Sequence, residues 1–219
     1  MTLSFDPSRE DFESLLGIQL GLVGLRLTDV AAELPAIYTR LGKLFSGMRN
    51  KYFRSESGPV LRNAHNAQFT IFLYELSRAV FDGGRRPQAD RIYALLRMVS
   101  SVDLFYEVKL PERWGCDHPL GSVIGRGKFA PGSTLFFSQN CNIGNNRGVF
   151  PEISGNLHMT ANSSLIGDTR VKGNVFLANG ACALDAGDLS DCFVFGRSPN
   201  LTLKPLSPAE FKVRSAFVD

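Results

Sequence analysis

Apolar residues recur at every sixth position between Val123 and Leu201. The row reads Val123, Phe129, Leu135, Cys141, Arg147, Ile153, Met159, Leu165, Val171, Leu177, Ala183, Leu189, Phe195, Leu201. Thirteen of the fourteen are apolar, in a chain that is 44% apolar overall. Arg147 is the exception. Neither the helical period nor the strand period produces such a row. A fixed six-residue repeat predicts a parallel β-helix. Turn residues fall at a constant offset: Gly125-Arg126, Pro131-Gly132, Gly155-Asn156, Gly167-Asp168, Gly173-Asn174 and Asn179-Gly180. Four residues after a rung come Ser163, Thr169, Val175 and Ala181, small enough for an inward corner. With three hexads to a coil, the row predicts four to five coils. Residues 144–152 keep the count of six but lose the apolar rung at Arg147, which predicts a loop bulging from the coil.

Upstream the period changes. Asp6-Pro7-Ser8 can start a helix, with Glu10 and Asp11 near its positive end. From Thr28 to about Arg49, Val30, Leu34, Ile37, Tyr38, Leu41 and Phe45 form one apolar stripe, ending in the basic group Arg49, Lys51 and Arg54. Ser55 to Pro59 is a polar break. A third helix is predicted from about Val60 to Phe81, apolar on most sides, stopped by Asp82-Gly83-Gly84. A fourth spans about Pro87 to Ser101. The fold class is therefore α+β, with a helical domain over residues 1–112, a β-helix over 113–205 and a C-terminal tail over 206–219. The tail is expected to be one helical turn or a disordered end.

Composition excludes more than it selects. A formal charge of +3 over 219 residues gives no reason to expect nucleic acid or a membrane surface. No segment is apolar for long enough to span a bilayer, and no secretory leader is evident. Cys116, Cys141, Cys182 and Cys192 have no metal-ligand spacing, so reduced thiols in the cytoplasm are expected and no metal. Cys141 sits on the ladder as a small hydrophobe.

The hexad pattern resembles the left-handed β-helix, or hexapeptide-repeat, acyltransferases. A helical half followed by Asp117-x-Pro119, Ile124-Gly125-Arg126-Gly127, Gln139-x-x-x-Ile143-Gly144 and Pro151-x-Ile153 is similar to serine acetyltransferase. The segments Gln68–Tyr74, His118–Arg126 and Phe195-Gly196-x-Ser198-Pro199-Asn200 resemble more closely the serine-acetyltransferase-like enzymes of polysaccharide biosynthesis. The resemblance implies a left-handed β-helix, acetyl-coenzyme A as co-substrate, a hydroxylated acceptor and a homotrimer with sites between subunits. It stops at the two histidines of serine acetyltransferase. The early coils run from Arg126 to Gln139 without histidine, and Phe150 stands before Pro151.

Acetyl transfer to a hydroxyl needs a base, oxyanion donors and a slot for the coenzyme arm. The chain has three histidines to offer. His118, beside Asp117 at the entry to the β-helix, is the first candidate base, or else a residue fixing the junction. His158 is the second, expected to point outward toward a neighbouring subunit. His65 reads as packing or capping. Asp117 could itself serve as base. Gln139, Asn140, Asn142 and Asn145, with Asn146 beside them, could hold the acceptor or the oxyanion, or could instead form an asparagine ladder satisfying the coil backbone. The resemblance sets the coenzyme along the late coils, with Ala178, Gly180 and Ala181 leaving room; Arg197 and Lys204, with Arg170 and Lys172, could meet its phosphates, or could be a solvated surface, just as the fold needs small residues in any case. A sugar or other small hydroxylated acceptor is the leading expectation. N-acetylation of an amino sugar and a non-catalytic scaffold stay open.

Overall fold

The computed structural model describes residues 2–218. Two compact units divide the chain, one reaching to Glu107 and one running from Val108 to Val218. Four helices build the first: α1 (Arg9–Gly21), α2 (Leu34–Ser46), α3 (Asn66–Asp82) and α4 (Arg86–Ser100). Ser8 caps α1, its hydroxyl accepting from the Asp11 N–H at 3.0 Å. The stripe Leu34, Ile37, Tyr38, Leu41 and Phe45 is buried. Helix α3 is apolar nearly all round because nearly all of it is buried, Phe69 to Leu73 included. Phe12 meets Phe72 edge-on, with ring centroids 4.9 Å apart.

One stretch read as helix is a strand. Gly58–Arg62 pairs in parallel with Ser4–Asp6 and antiparallel with Arg54–Ser55, so the polar break is a hairpin. The sheet takes Val60 and Leu61, and α3 starts only at Asn66. His65 is its N-cap: its Nδ1 accepts from the Gln68 N–H at 3.4 Å, and its ring packs against Tyr52 and Phe53.

The second unit is a left-handed parallel β-helix of about five coils. Its first face stacks Arg113–Cys116, Thr134–Phe137, Asn156–Met159, Asn174–Leu177 and Cys192–Arg197. The second stacks Val123–Ile124, Asn142–Gly144, Ser164–Ile166 and Cys182–Leu184. The third stacks Lys128–Phe129, Glu152–Ile153, Thr169–Val171 and Gly187–Leu189. Strand Asn200–Pro205 returns antiparallel along Cys192–Arg197 and closes the column. After it, Ser207 opens α5 (Pro208–Arg214) through a capping box with Glu210, so the tail is ordered.

The ladder is exact only from Ile153 to Leu189. There Ile153, Met159, Leu165, Val171, Leu177, Ala183 and Leu189 are all at most 1% exposed. Their companions Ser163, Thr169, Val175 and Ala181 fill the inner corners. Upstream, Leu135 and Cys141 are buried but lie opposite Leu157 and Ser163, in the other inward register. The rungs equivalent to Met159 and Leu165 are Phe137 and Ile143. The loop is the cause. Ile143 pairs with Leu165, 22 residues on, whereas Leu165 pairs with Ala183, 18 on. The loop thus adds four residues to its coil and resets the phase. Downstream, Leu177 pairs with Val194, 17 on, so the corner at Ser190-Asp191 is one residue short. Val194 then points inward and Phe195 is 37% exposed.

This phase slip can be measured. Leu177→Ala should lose about 2–5 kcal/mol of stability as a cavity opens inside the coil. Phe195→Ala should lose less than about 1 kcal/mol. Urea denaturation of both variants tests the register, and a larger loss for Phe195→Ala would contradict it.

Candidate active-site edge

A three-sided coil has three corners, and a corner must turn the chain sharply. Left-handed backbone recurs at the corner between the first and second faces. Gly121, Asn140, Asn162 and Gly180 all have positive φ there, at 73°, 53°, 62° and 74°. Glycine and asparagine are the residues that adopt this conformation most cheaply. Each coil hangs on the next: Asn140 N–H donates to Leu120 O, Asn162 N–H to Gln139 O, and Gly180 N–H to Ala161 O. Asn140 also donates its side-chain N–H to Asn162 Oδ1 at 3.1 Å. A Cβ on Gly121 would collide with the Asn140 side-chain oxygen. Asn140 is therefore a ladder asparagine, with its amide committed to the corner.

This edge gathers most of the residues singled out in the sequence. At its first coil, His118 is also left-handed, with φ of 46°, and its side chain is 80% exposed. Asp117 Oδ1 lies 3.8 Å from His118 Nε2, beyond a hydrogen bond but within an ion pair's reach. Gln139 and Asn140 come next up the edge, both exposed. Higher, Ala178 and Gly180 form the turn, and a Cβ on Gly180 would meet nothing within 4 Å. At the top, Arg197 runs alongside Cys182. Four steps of roughly 4.8 Å separate the first and fifth coils, so the edge is about 19 Å long.

The remaining candidates lie elsewhere. Asn142 starts a strand of the second face. Asn145 stands in the loop, where its side chain accepts from the Gly148 N–H at 3.3 Å. There Asn146 and Val149 bridge across Arg147 and Gly148, both at positive φ, and Asn146 donates to Asp185 at 2.6 Å. Ala181 faces the interior at 1% exposure, so its methyl group packs in the coil rather than lining a ligand slot. Lys204 is opposite Phe193, roughly 13 Å along the hairpin from Arg197, and its ammonium lies 5.4 Å from the Phe195 ring.

His158 is on the outer side of the first face, as expected, but there it is half-buried by its own chain. Its ring is stacked on Phe176 at 4.4 Å and packs against Phe136 at 5.0 Å. The chain's own C-terminal segment lies along the same row. Burial pushes the imidazole down to about 4, the wrong direction for a base at neutral pH.

The cations divide sharply. On the third face Lys128, Glu152, Arg170 and Asp188 stand one above another. Lys128 pairs with Glu152 at 2.5 Å, and Asp188 takes both Arg170 and Lys172 at 2.5 Å. Arg170 also pairs with Asp168. These carboxylates neutralise Arg170 and Lys172 where they stand. Among the described residues no carboxylate pairs with Arg197. The edge thus combines an open turn at Gly180 with a guanidinium, Arg197, that no described carboxylate pairs with. Among the described residues there is no cluster of metal ligands and no helix long and apolar enough to cross a membrane. Burial raises the thiols of Cys116, Cys141 and Cys192, which makes them inert.

No family model and no curated protein matches the chain. Solved structures do. A serine acetyltransferase from Brucella abortus strain S19 superposes with a TM-score of 0.65 at 14% identity, over 90% of this chain and 84% of the other. The same enzyme in complex with coenzyme A gives 0.64 at 14% identity, over 92% and 84%. A Neisseria gonorrhoeae serine acetyltransferase in complex with serine gives 0.62 at 18% identity, over 89% and 83%. At these identities the likeness is one of fold.

Proposed function

We propose that this protein is an acetyl-coenzyme-A-dependent O-acetyltransferase acting on a sugar or another small hydroxylated acceptor. The observation that carries the reading is the edge itself. An accessible histidine–aspartate pair stands at one end and an open turn with a free guanidinium at the other, on a fold like that of serine acetyltransferases.

Acetyl-coenzyme A, when bound, supplies the activated acyl thioester. Ala178 and Gly180 would line its arm and Arg197 would meet its phosphates. His118 takes the proton of the acceptor hydroxyl. Asp117 then offsets the positive charge that forms on the ring. Gln139, exposed beside Asn140, is the side chain on hand to donate to the acceptor or the oxyanion.

The acting form is a homotrimer in the cytoplasm. What supports a trimer is the contrast between faces. The third face carries paired charges, and the first lies under the C-terminal segment. The outward strand positions of the second, Val123, Asn142, Gly144, Ser164, Ile166, Cys182 and Leu184, carry no charge, and Val123 and Leu184 are 44% and 39% exposed. That face borders the edge, so a second copy packed on it would turn the edge into a cleft.

A non-catalytic scaffold is the second reading. It is favoured by the 3.8 Å gap between His118 and Asp117, which leaves the ring loosely held.

Two measurements separate the readings. His118→Ala should lower acetyl transfer to a hydroxylated sugar by about 100-fold or more. A variant with normal turnover would remove His118 from the mechanism. Coenzyme A at about 100 times its dissociation constant should stabilise the protein by about 2.7 kcal/mol in a thermal-shift assay, with Arg197→Ala needing more ligand for the same shift. No shift at millimolar coenzyme would favour the scaffold.

A further inference from the structure

Parallel stacking puts Phe136, His158, Phe176 and Phe193 in one row on the outer side of the first face. Their ring centroids are 5.0, 4.4 and 5.5 Å apart up the row. Beside it runs a polar row. Thr134 donates to Asn156 at 2.9 Å, Asn156 to Asn174 at 2.9 Å, and Asn174 to Asp191 at 2.9 Å.

The chain's last residues touch both ends of the aromatic row. Phe217 meets Phe136 edge-on at 6.2 Å. The Arg214 guanidinium lies 5.3 Å from the Phe193 ring. Helix α5 lies against strand Asn174–Leu177 between these contacts. Arg113 fastens the end of the segment, stacking over Phe217 at 5.2 Å and donating to Val218 O at 2.7 Å. Phe211 and Phe217 are 9% and 5% exposed. His158 is the row's one titratable member and lies between Phe136 and Phe176.

We propose that residues 206–218 form an acid-released latch on this aromatic row, with His158 as the proton switch that frees it. A neutral imidazole stacks between phenyl rings as another aromatic. An imidazolium in the same place has lost water and gained no counter-charge. Strands Thr134–Phe137 and Asn174–Leu177 present no ionisable side chain at Phe136 or Phe176. The latch brings Lys212 and Arg214, both cations, and Glu210, which is engaged with Ser207. The lowest strand of the face brings Arg113, a further cation. Among the described residues no carboxylate pairs with His158.

The sign follows. With the latch closed, burial holds the imidazole down at about 4; with it released the ring keeps Phe136 and Phe176 but regains water, which moves it up toward the ordinary value of about 6.5. The released form holds the proton more tightly. Docking is therefore strongest above about pH 6.5, weakens as pH falls toward 4, and levels off below that. Release uncovers an aromatic row flanked by amides. The inference holds whether or not the edge between the first two faces is catalytic.

The test is amide hydrogen exchange on the full chain at pH 7.5 and pH 5, each amide expressed as protection over its own intrinsic rate. Protection across residues 208–218 should fall by about 30-fold, the ratio expected for pKa values of about 4 docked and 6.5 released. Protection inside the coil, at Leu165 and Val171, should hold. In His158→Phe the tail should stay protected at both pH values. Phe217→Ala gives a second route: it should loosen the latch at pH 7.5 and bring the His158 titration back toward about 6.5, read by NMR. A tail equally protected at both pH values, a fall of the same size in His158→Phe, equal losses in the coil, or a His158 titration unmoved by Phe217→Ala would each overturn the proposal.

Discussion

Every outward or inward position in the β-helix is stacked on its own equivalent one coil away. That constraint governs the rest of the structure. A side chain placed on a row has as its nearest neighbours the residues above and below, whatever lies beside it in sequence. Rows must therefore be chemically consistent. The interior rows are mostly apolar, and the hydroxyls buried among them, Ser163 and Thr169, donate to the Thr160 and Ile166 carbonyls, because a polar group there has no water. The corner row is Gly or Asn because the backbone is left-handed there. The third face alternates charge, with Lys128, Glu152, Arg170 and Asp188 in order, because like charges one step apart would repel. The first face stacks aromatic rings.

The same constraint explains what could be read in the sequence. Between Ile153 and Leu189 the coils are uniform, so the six-residue count gives fold, inner rungs and corners together. It fails wherever a coil is not uniform. The loop adds four residues, and Leu135 and Cys141 stay buried only because they fall in the other inward register, opposite Leu157 and Ser163. The missing residue near Ser190 makes Phe195 look like a rung when Val194 is. In the helical half, capping and amphipathic spacing located the start of α1 and the bounds of α4 closely, whereas α2 begins at Leu34, six residues after Thr28. They could not locate the strand at Gly58–Arg62, because its partner Ser4–Asp6 is more than fifty residues away and local pattern carries no trace of that pairing.

The site divides along the same line. His118, Gln139, Asn140, Gly180 and Arg197 lie on one edge because each follows a strand of the first face or ends one, a position the repeat fixes. Lys204 and Asn145 fall outside the uniform coils and away from the edge. Arg170 and Lys172 looked like phosphate ligands, and only the stacking of the third face brings Asp188 to them. Composition counts such charges but cannot say which are already spent on one another.

His158 is the sharpest instance of chemistry set by distant sequence. Its ring neighbours are Phe136 and Phe176, one coil away on either side, and residues near the C-terminus touch the same row at Phe136 and Phe193. Nothing within a few residues of His158 signals a depressed titration. The structure also separates its role from that of His118. One imidazole is open on a corner beside a carboxylate. The other is half-buried on a flat face between two phenyl rings. A base must be reachable, and His118 is the more exposed of the two. The second is arranged so that taking up a proton breaks the contacts around it, which suits a group that governs packing rather than one that turns over.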